Sequence, residues 1–332
     1  MENAIRFLQN PAPHLKSDAN VPAIMGQVVL ALLPATIFGI SFFGIHYTLF
    51  PVLVSILSCI GFECFDCLLF KKKITISDGS ALVTGLLLGL SLPPGAPFWM
   101  AIAGGGVSII LGKQMFGGLG QNIFNPALVG RAVLIISWPK IMTTWVVKGI
   151  YGFPNLEGGA MALPQGLDVI TTPTPLAISK AYGFQVLHQL EPNILGRLFI
   201  GTVPGSIGET SALLLLAGFF YLLWRGIVKW DIPVLYMVGL SFVVILGGQN
   251  PLYHMLAGGA LMAACFMAND YITSPLSRNG RLIFAFGAGA ITGIIRLMGG
   301  YPEGVTFGIL MMNAIVPLLD KLLPRRFGVK KV

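Results

Sequence analysis

Residues 21–43 carry no charged side chain, and apolar stretches of the same kind recur near 48–70, 79–92, 97–115, 123–137, 209–224, 231–247, 252–268, 281–298 and 304–320. A bilayer core takes about 20 apolar residues per helix. Inside it only helices and closed barrels satisfy their own backbone polar groups. A chain written this way has one economical solution, a bundle of helices across a membrane. Composition agrees: 55% of the 332 residues are hydrophobic and 10% charged, against about 25% charged in soluble domains. The third stretch is too short to cross alone. It is rich in glycine (Gly79, Gly85, Gly89), stops at Pro93-Pro94, and reads as a half-helix. The expected fold class is an all-α polytopic membrane protein of about ten transmembrane helices, some broken.

Charge sets the expected orientation. The net charge of +8 does not indicate nucleic acid, because Lys and Arg in a membrane protein mark cytoplasmic loops. With the N-terminus inside, only Lys140, Lys148, Lys180 and Arg197 fall outside, Arg131 and Arg296 fall within spans, and the remaining Lys and Arg are cytoplasmic. Both termini are then expected in the cytoplasm, with residues 138–208 forming a long extracytoplasmic loop. Residues 1–20 contain Arg6, Lys16, Pro11 and Pro13 but no short apolar run with a cleavage site, so no removable signal is expected.

The chain also echoes itself. Ala103-Gly-Gly-Gly106 followed by Gly112-Lys113-Gln-Met-Phe-Gly117-Gly118 returns as Phe286-Gly-Ala-Gly289 followed by Ile295-Arg296-Leu-Met-Gly299-Gly300. A short broken stretch precedes each copy (80–94 and 260–275) and one span follows each. Two five-span units, 21–137 and 209–320, must be oppositely oriented because five is odd. Inverted repeats of this kind bring broken helices together at a midplane binding site. Residues 1–20 and the basic tail 321–332 flank them.

Few residues carry chemistry. Arg131 lies in a span beside Asn122 and Asn125, where a buried charge needs a partner, a cavity or a ligand. Arg296 reads equally as such a group or as a side chain snorkelling to the headgroups. Asn125 before Pro126, and Asp78 and Asp270 in inner loops, suit helix capping. Glu303 reads as a first-turn acid of the last span. Cys64-Phe-Asp-Cys67 has no second cysteine pair to complete a cluster and reads as helix packing. The four histidines form no ligand constellation. The segment Asp168-Val-Ile-Thr171-Thr172-Pro173-Thr174-Pro175-Leu176 reads by itself as a Pro/Thr-rich turn.

Two stretches carry a resemblance over essentially the whole chain. Residues 116–131 (FGGLGQNIFNPALVGR) and 294–313 (IIRLMGGYPEGVTFGILMMN) closely resemble signature stretches of the RnfD/NqrB family. Asn10-Pro-Ala-Pro-His14 and the moderate length resemble its RnfD branch, the D-type component of Rnf complexes. The resemblance implies a bacterial inner-membrane translocase component, not catalytic on its own. Its complex would pass electrons between ferredoxin and NAD and move Na+ or H+. It also implies an FMN joined through its phosphate to a threonine by a separate flavin transferase, and a second, non-covalent flavin, riboflavin, in the bundle. The family's attachment pattern is similar to Asp-x-x-Ser/Thr-Gly-Ala-Thr. Asp168 and Thr171 match it and Thr174 falls on the acceptor, while Thr172 and Pro173 replace Gly-Ala; Thr171 and Thr172 are secondary acceptor candidates. Asn125 and Arg131 are candidate cofactor contacts within the bundle. Implied partners are the Rnf subunits A, B, C, E and G, the flavin transferase and the bilayer. The competing reading of the same hydropathy is a small-solute channel of urea-channel-like plan without a redox cofactor.

Overall fold

The computed structural model describes residues 20–72, 75–148, 169–171, 173–209, 211–301 and 303–322, with the backbone alone described for Val146–Lys148 and Val169–Thr171. The first half contains α1 (Val21–Phe43), α2 (Ile45–Leu69), the short α3 (Ser80–Ser91), α4 (Phe98–Ile110) and α5 (Pro126–Ser137). Asn20 starts α1, its side-chain oxygen accepting from the Ala23 amide at 2.9 Å. Asn125 starts α5 in the same way, accepting from Ala127 and Leu128 at 3.1 and 3.4 Å with Pro126 at the first helical position. The capping role expected for Asn125 is therefore present.

The described residues of 138–208 form regular elements rather than an open loop. They hold α6 (Pro139–Met142), β1 (Val146–Lys148), β2 (Val169–Thr171), α7 (Pro175–Tyr182), α8 (Phe184–Leu190) and α9 (Ile194–Ile200). The strands pair antiparallel with Val146 opposite Thr171, a local departure from the all-α expectation. The second half follows with α10 (Ala212–Trp224), α11 (Asp231–Leu246), α12 (Pro251–Leu256), α13 (Ala260–Met262), α14 (Arg278–Met298) and α15 (Val305–Leu322). The stretch 252–268, expected as one span, is broken: α12 stops at Leu256, and α13 runs into a π-helical turn at Ala263–Met267.

Among the described residues, α1, α2, α14 and α15 are long and apolar enough to cross a membrane. Their outer faces and those of their neighbours are apolar, with Trp224 82% and Met298 84% exposed, while Arg131, Lys113 and Glu63 are buried. That inversion is the mark of a chain solvated by lipid. α3 is buried along nearly its whole length, as a helix hydrophobic on all faces must be.

The two halves repeat local geometry. α3 is launched from Gly79 and α13 from Gly259, both left-handed, with φ of 75° and 68°. In each half the basic residue at the end of the following long helix is spent on that launch point. Lys113 donates to the Ser80 hydroxyl at 2.6 Å, and Arg296 donates to the Gly258 carbonyl at 2.9 Å.

Candidate functional site

The polar centre of the molecule is built on Arg131. Its helix, α5, is held against α4 at Gly130, where a Cβ would lie 2.0 Å from the Ser108 hydroxyl and 2.6 Å from the Gly104 carbonyl. One residue later the arginine side chain, 2% exposed, meets two carboxylates. Nη1 donates to Glu209 Oε1 and Nη2 to Glu303 Oε2, each at 2.5 Å. Ser206 Oγ donates to the second oxygen of Glu209 at 2.7 Å. A buried guanidinium is tolerated when paired and hydrogen-bonded in this way. The expected polar contact for Arg131 is present, but its partners are the two glutamates rather than the neighbouring asparagines. Glu303 is thus an ion-pair partner ahead of α15 rather than a first-turn acid.

Arg296 lies beside this cluster and does not snorkel. It is buried, and its contacts run to backbone carbonyls: Nε to Glu303 at 2.8 Å, Nη1 to His254 at 2.5 Å, and Nη2 to Ala257 and Gly258 at 2.9 Å. The His254, Ala257 and Gly258 carbonyls are the ones beside the helix break at 257–259, while that of Glu303 belongs to the loop before α15. Arg296 therefore caps the end of α12.

Thr174 opens onto the same place. It is the N-cap of α7, 7% exposed, and its hydroxyl oxygen accepts from the Ala177 amide at 3.2 Å. With Gly205, Gly258, Glu209, Glu303 and Leu256 it lines a narrow cleft. Glycine shapes one wall: a Cβ on Gly259 would stand 2.4 Å from the Glu209 carboxylate, and φ there is 68°. From the far end of α7, Lys180 donates to the carbonyls of Gly299 and Tyr301, tying this helix to the loop that carries Glu303. Thr171 is placed by its backbone in β2. Asp168 and Thr172 lie outside the described residues.

Asn125 belongs elsewhere. It lines a second, larger cavity together with Lys113, Asn122, Asp270 and Phe266. Its Nδ2 crosses to the Met267 carbonyl in the other half at 3.1 Å. The two residues singled out as bundle contacts therefore serve different cavities. Lys113, counted in the sequence as a loop charge, is buried here and pairs with Glu63 at 2.7 Å. Thr75 also donates to Glu63, at 2.5 Å. Lys113→Met should leave the Glu63 carboxylate buried without its cation, a loss of about 3–5 kcal/mol. Detergent-titrated unfolding should show that drop, and the double variant with Glu63→Gln should recover most of it.

All four cysteines are free thiols, and no group of three or more His, Cys, Asp or Glu side chains is arranged to hold a metal among the described residues. Glu209, Ser206 and Glu63 escaped the sequence reading. Nothing local marks them; a buried arginine or lysine signals only that some acid must answer it.

Comparison with known proteins fits this geometry into a family. The sequence model of the NQR2, RnfD, RnfE family matches residues 8–328. The chain is 43% identical, over 98% of its length and 97% of the relative's, to the D component of the proton-translocating ferredoxin:NAD(+) oxidoreductase complex of Clostridium ljungdahlii. It is 40% identical, over 99% and 98%, to the D component of the Na(+)-translocating ferredoxin:NAD(+) oxidoreductase complex of Acetobacterium woodii. It is also 40% identical, over 93% of each, to the D component of the ion-translocating oxidoreductase complex of Stutzerimonas stutzeri.

Proposed function

Because the chain belongs to the NQR2, RnfD, RnfE family, we propose that it is the D-type component of an Rnf-like membrane complex and carries FMN as a phosphoester on Thr174. In this reading the complex couples electron transfer between ferredoxin and NAD to Na+ or H+ movement. Relatives with nearly equal identity are named for different ions, so the ion does not follow from likeness. The family's redox setting favours this reading over a small-solute channel.

The observation that carries the proposal is the position of Thr174. Its hydroxyl sits at the N-terminus of the eight-residue α7, on the wall of a glycine-lined cleft beside two buried arginines. A helix N-terminus favours an attached phosphate. Arg131 and Arg296 offset the negative charge that Glu209 and Glu303 bring to the cleft. Once bound, the isoalloxazine supplies one- and two-electron chemistry, while the protein supplies position and electrostatics. In this structure Thr174 is buried, so attachment requires the first turn of α7 to open to the flavin transferase. The larger cavity with Asn122, Asn125 and Lys113 is the natural place for the second flavin, riboflavin. There the Asn122 side-chain oxygen is buried without a partner among the described residues.

The matched launch points at Gly79 and Gly259 support two inverted five-helix units, 21–137 and 209–320, within about ten membrane segments. With the charge bias, this supports a reading in which both termini lie in the cytoplasm of a bacterial cell and residues 138–208 lie outside its inner membrane. Subunits A, B, C, E and G are the proposed partners.

Expression with and without a flavin transferase tests the function. The denatured chain should fluoresce as a yellow flavoprotein band only when the transferase is present. A dark band under both conditions would contradict covalent FMN.

A further inference from the structure

We infer that Glu209 and Glu303 form a proton-binding site at the face carrying Thr174, with Glu303 holding the exchangeable proton. The stoichiometry of contacts is the first ground. Two carboxylates converge on one guanidinium, and each takes one of its terminal nitrogens. The second arginine, Arg296, gives its hydrogen bonds to the carbonyls of His254, Ala257, Gly258 and Glu303 rather than to a carboxylate. Two acids thus share one directly bonded cation, and closely spaced carboxylates resist simultaneous ionisation.

The second ground is the surrounding space. Glu303 lines the Thr174 cleft and also a separate small cavity with Arg131, Thr143, Trp145 and Tyr301. Among the described residues it is the one that borders both. Arg131 Nε is buried there without a protein partner among those residues, an N–H that needs an acceptor such as water. Arg131 lines the same cavity as Glu303, so a water bridging this nitrogen to the carboxylate would give the proton a path.

The third ground separates the two acids. The Glu209 side chain is 5% exposed, and both its oxygens are engaged, one by Arg131 and the other by the Ser206 hydroxyl at 2.7 Å. Glu303 is 16% exposed and has the single carboxylate contact to Arg131. Burial raises its carboxyl to about 7, Arg131 opposing this, Glu209 adding to it and Arg296 opposing again. The remaining polar neighbours fix the loop through its backbone. Lys180 holds the Gly299 and Tyr301 carbonyls, and Arg296 holds that of Glu303. The loop is thus tethered by main-chain contacts that do not depend on the Glu303 charge. A proton is favoured over a metal cation because both Glu209 oxygens and Glu303 Oε2 already accept from protein donors.

The step is simple: the Glu303 carboxylate takes one proton from water reaching it through the adjoining cavity and becomes a neutral acid, leaving Arg131 paired with Glu209. The Thr174 cleft then gains one unit of positive charge. Proton uptake and the arrival of an electron in the cleft therefore favour each other, and the coupling is reciprocal. Only this last consequence rests on the flavin reading.

Infrared titration of the full chain in nanodiscs tests the site through the carboxylic C=O stretch. Wild type, Glu303→Gln and Glu209→Gln are compared, each also in a Thr174→Asn background. The wild-type spectrum should contain a carboxyl that deprotonates near pH 7. Glu303→Gln should remove it. Glu209→Gln should keep it but move it to lower pH, since the like charge is gone. If Glu303→Gln does not fold, Glu303→Asp should shift the same band. The Thr174→Asn background should retain the titration; a wild-type protein that lacks flavin yet shows the band would leave this site standing and the flavin reading refuted. A near-neutral band that is absent, survives Glu303→Gln, or disappears in Glu209→Gln would overturn the assignment.

Discussion

Thr174→Asn should abolish covalent flavin while leaving the fold intact. The threonine has two jobs that can be separated. As N-cap of α7 its oxygen accepts from the Ala177 amide at 3.2 Å, and losing such a cap to alanine costs about 0.5–2 kcal/mol. As proposed acceptor, its hydroxyl forms the phosphoester. Asparagine is an equally good N-cap but offers no hydroxyl, so α7 should stay in place and the denatured band should be dark. Thr174→Ala should be dark too, with the capping loss added. Thr174→Ser keeps both functions and should retain fluorescence. Thr171 and Thr172 are the secondary candidates, and a bright band in Thr174→Asn would move the attachment to one of them. Flavin content is the readout, and unfolding in detergent titration is the control that separates the two jobs.

Arg131→Met should be the most destabilising single change in the bundle. It removes the cation from two carboxylates whose side chains are 5% and 16% exposed. Removing one partner of a buried pair typically costs about 3–5 kcal/mol. Here two acids lose a partner, so the loss should reach the upper end of that range. It also cuts a tie between the halves, because α5 belongs to the first while Glu303 precedes the last helix of the second. The triple variant Arg131→Met, Glu209→Gln, Glu303→Gln should recover much of the loss, since no buried charge is then left alone. A single-variant loss below about 1 kcal/mol, as seen for exposed pairs, would mean that the cluster is solvated rather than buried.

How far the sequence foretold this arrangement depended on distance along the chain. α1 occupies the uninterrupted apolar run 21–43 with the bounds expected from hydropathy. The short α3 follows from its glycines and Pro93-Pro94. Asn125-Pro126 announced the start of α5, because a cap and its helix are neighbours in sequence. The break at 257–259 was announced only in part: 260–275 reads as a broken stretch, but 252–268 reads as one span. Hydropathy continues through it, and what permits it is Arg296, some 39 residues on, donating to the carbonyls left free. The partners of Arg131 were equally hidden, at separations of 78 and 172 residues. Arg131 was recognisable as a residue needing a partner, but not which partner. Glu303 looked like an ordinary helix-start acid because its arginine comes from the other half of the molecule.

Thr174 shows the same limit from the other side. Thr-Pro at 174–175 is a strong helix-start pattern, with the hydroxyl as cap and proline at the first helical position. Local chemistry could have placed α7 there instead of a turn. What it could not supply is the opposite wall of the cleft, made by Gly258 and Gly259 from the broken stretch and by Glu209 and Glu303. The site is a tertiary product of the segment around α7 closing over a helix break.

One covalent bond decides the functional assignment. Mass spectrometry of the peptide spanning residues 149–180, taken from the complex matured with its flavin transferase, should show the mass of FMN added once and fragment ions that place it on Thr174. An unmodified peptide from a complex fully active in electron transfer, or an FMN adduct on another residue, would contradict it.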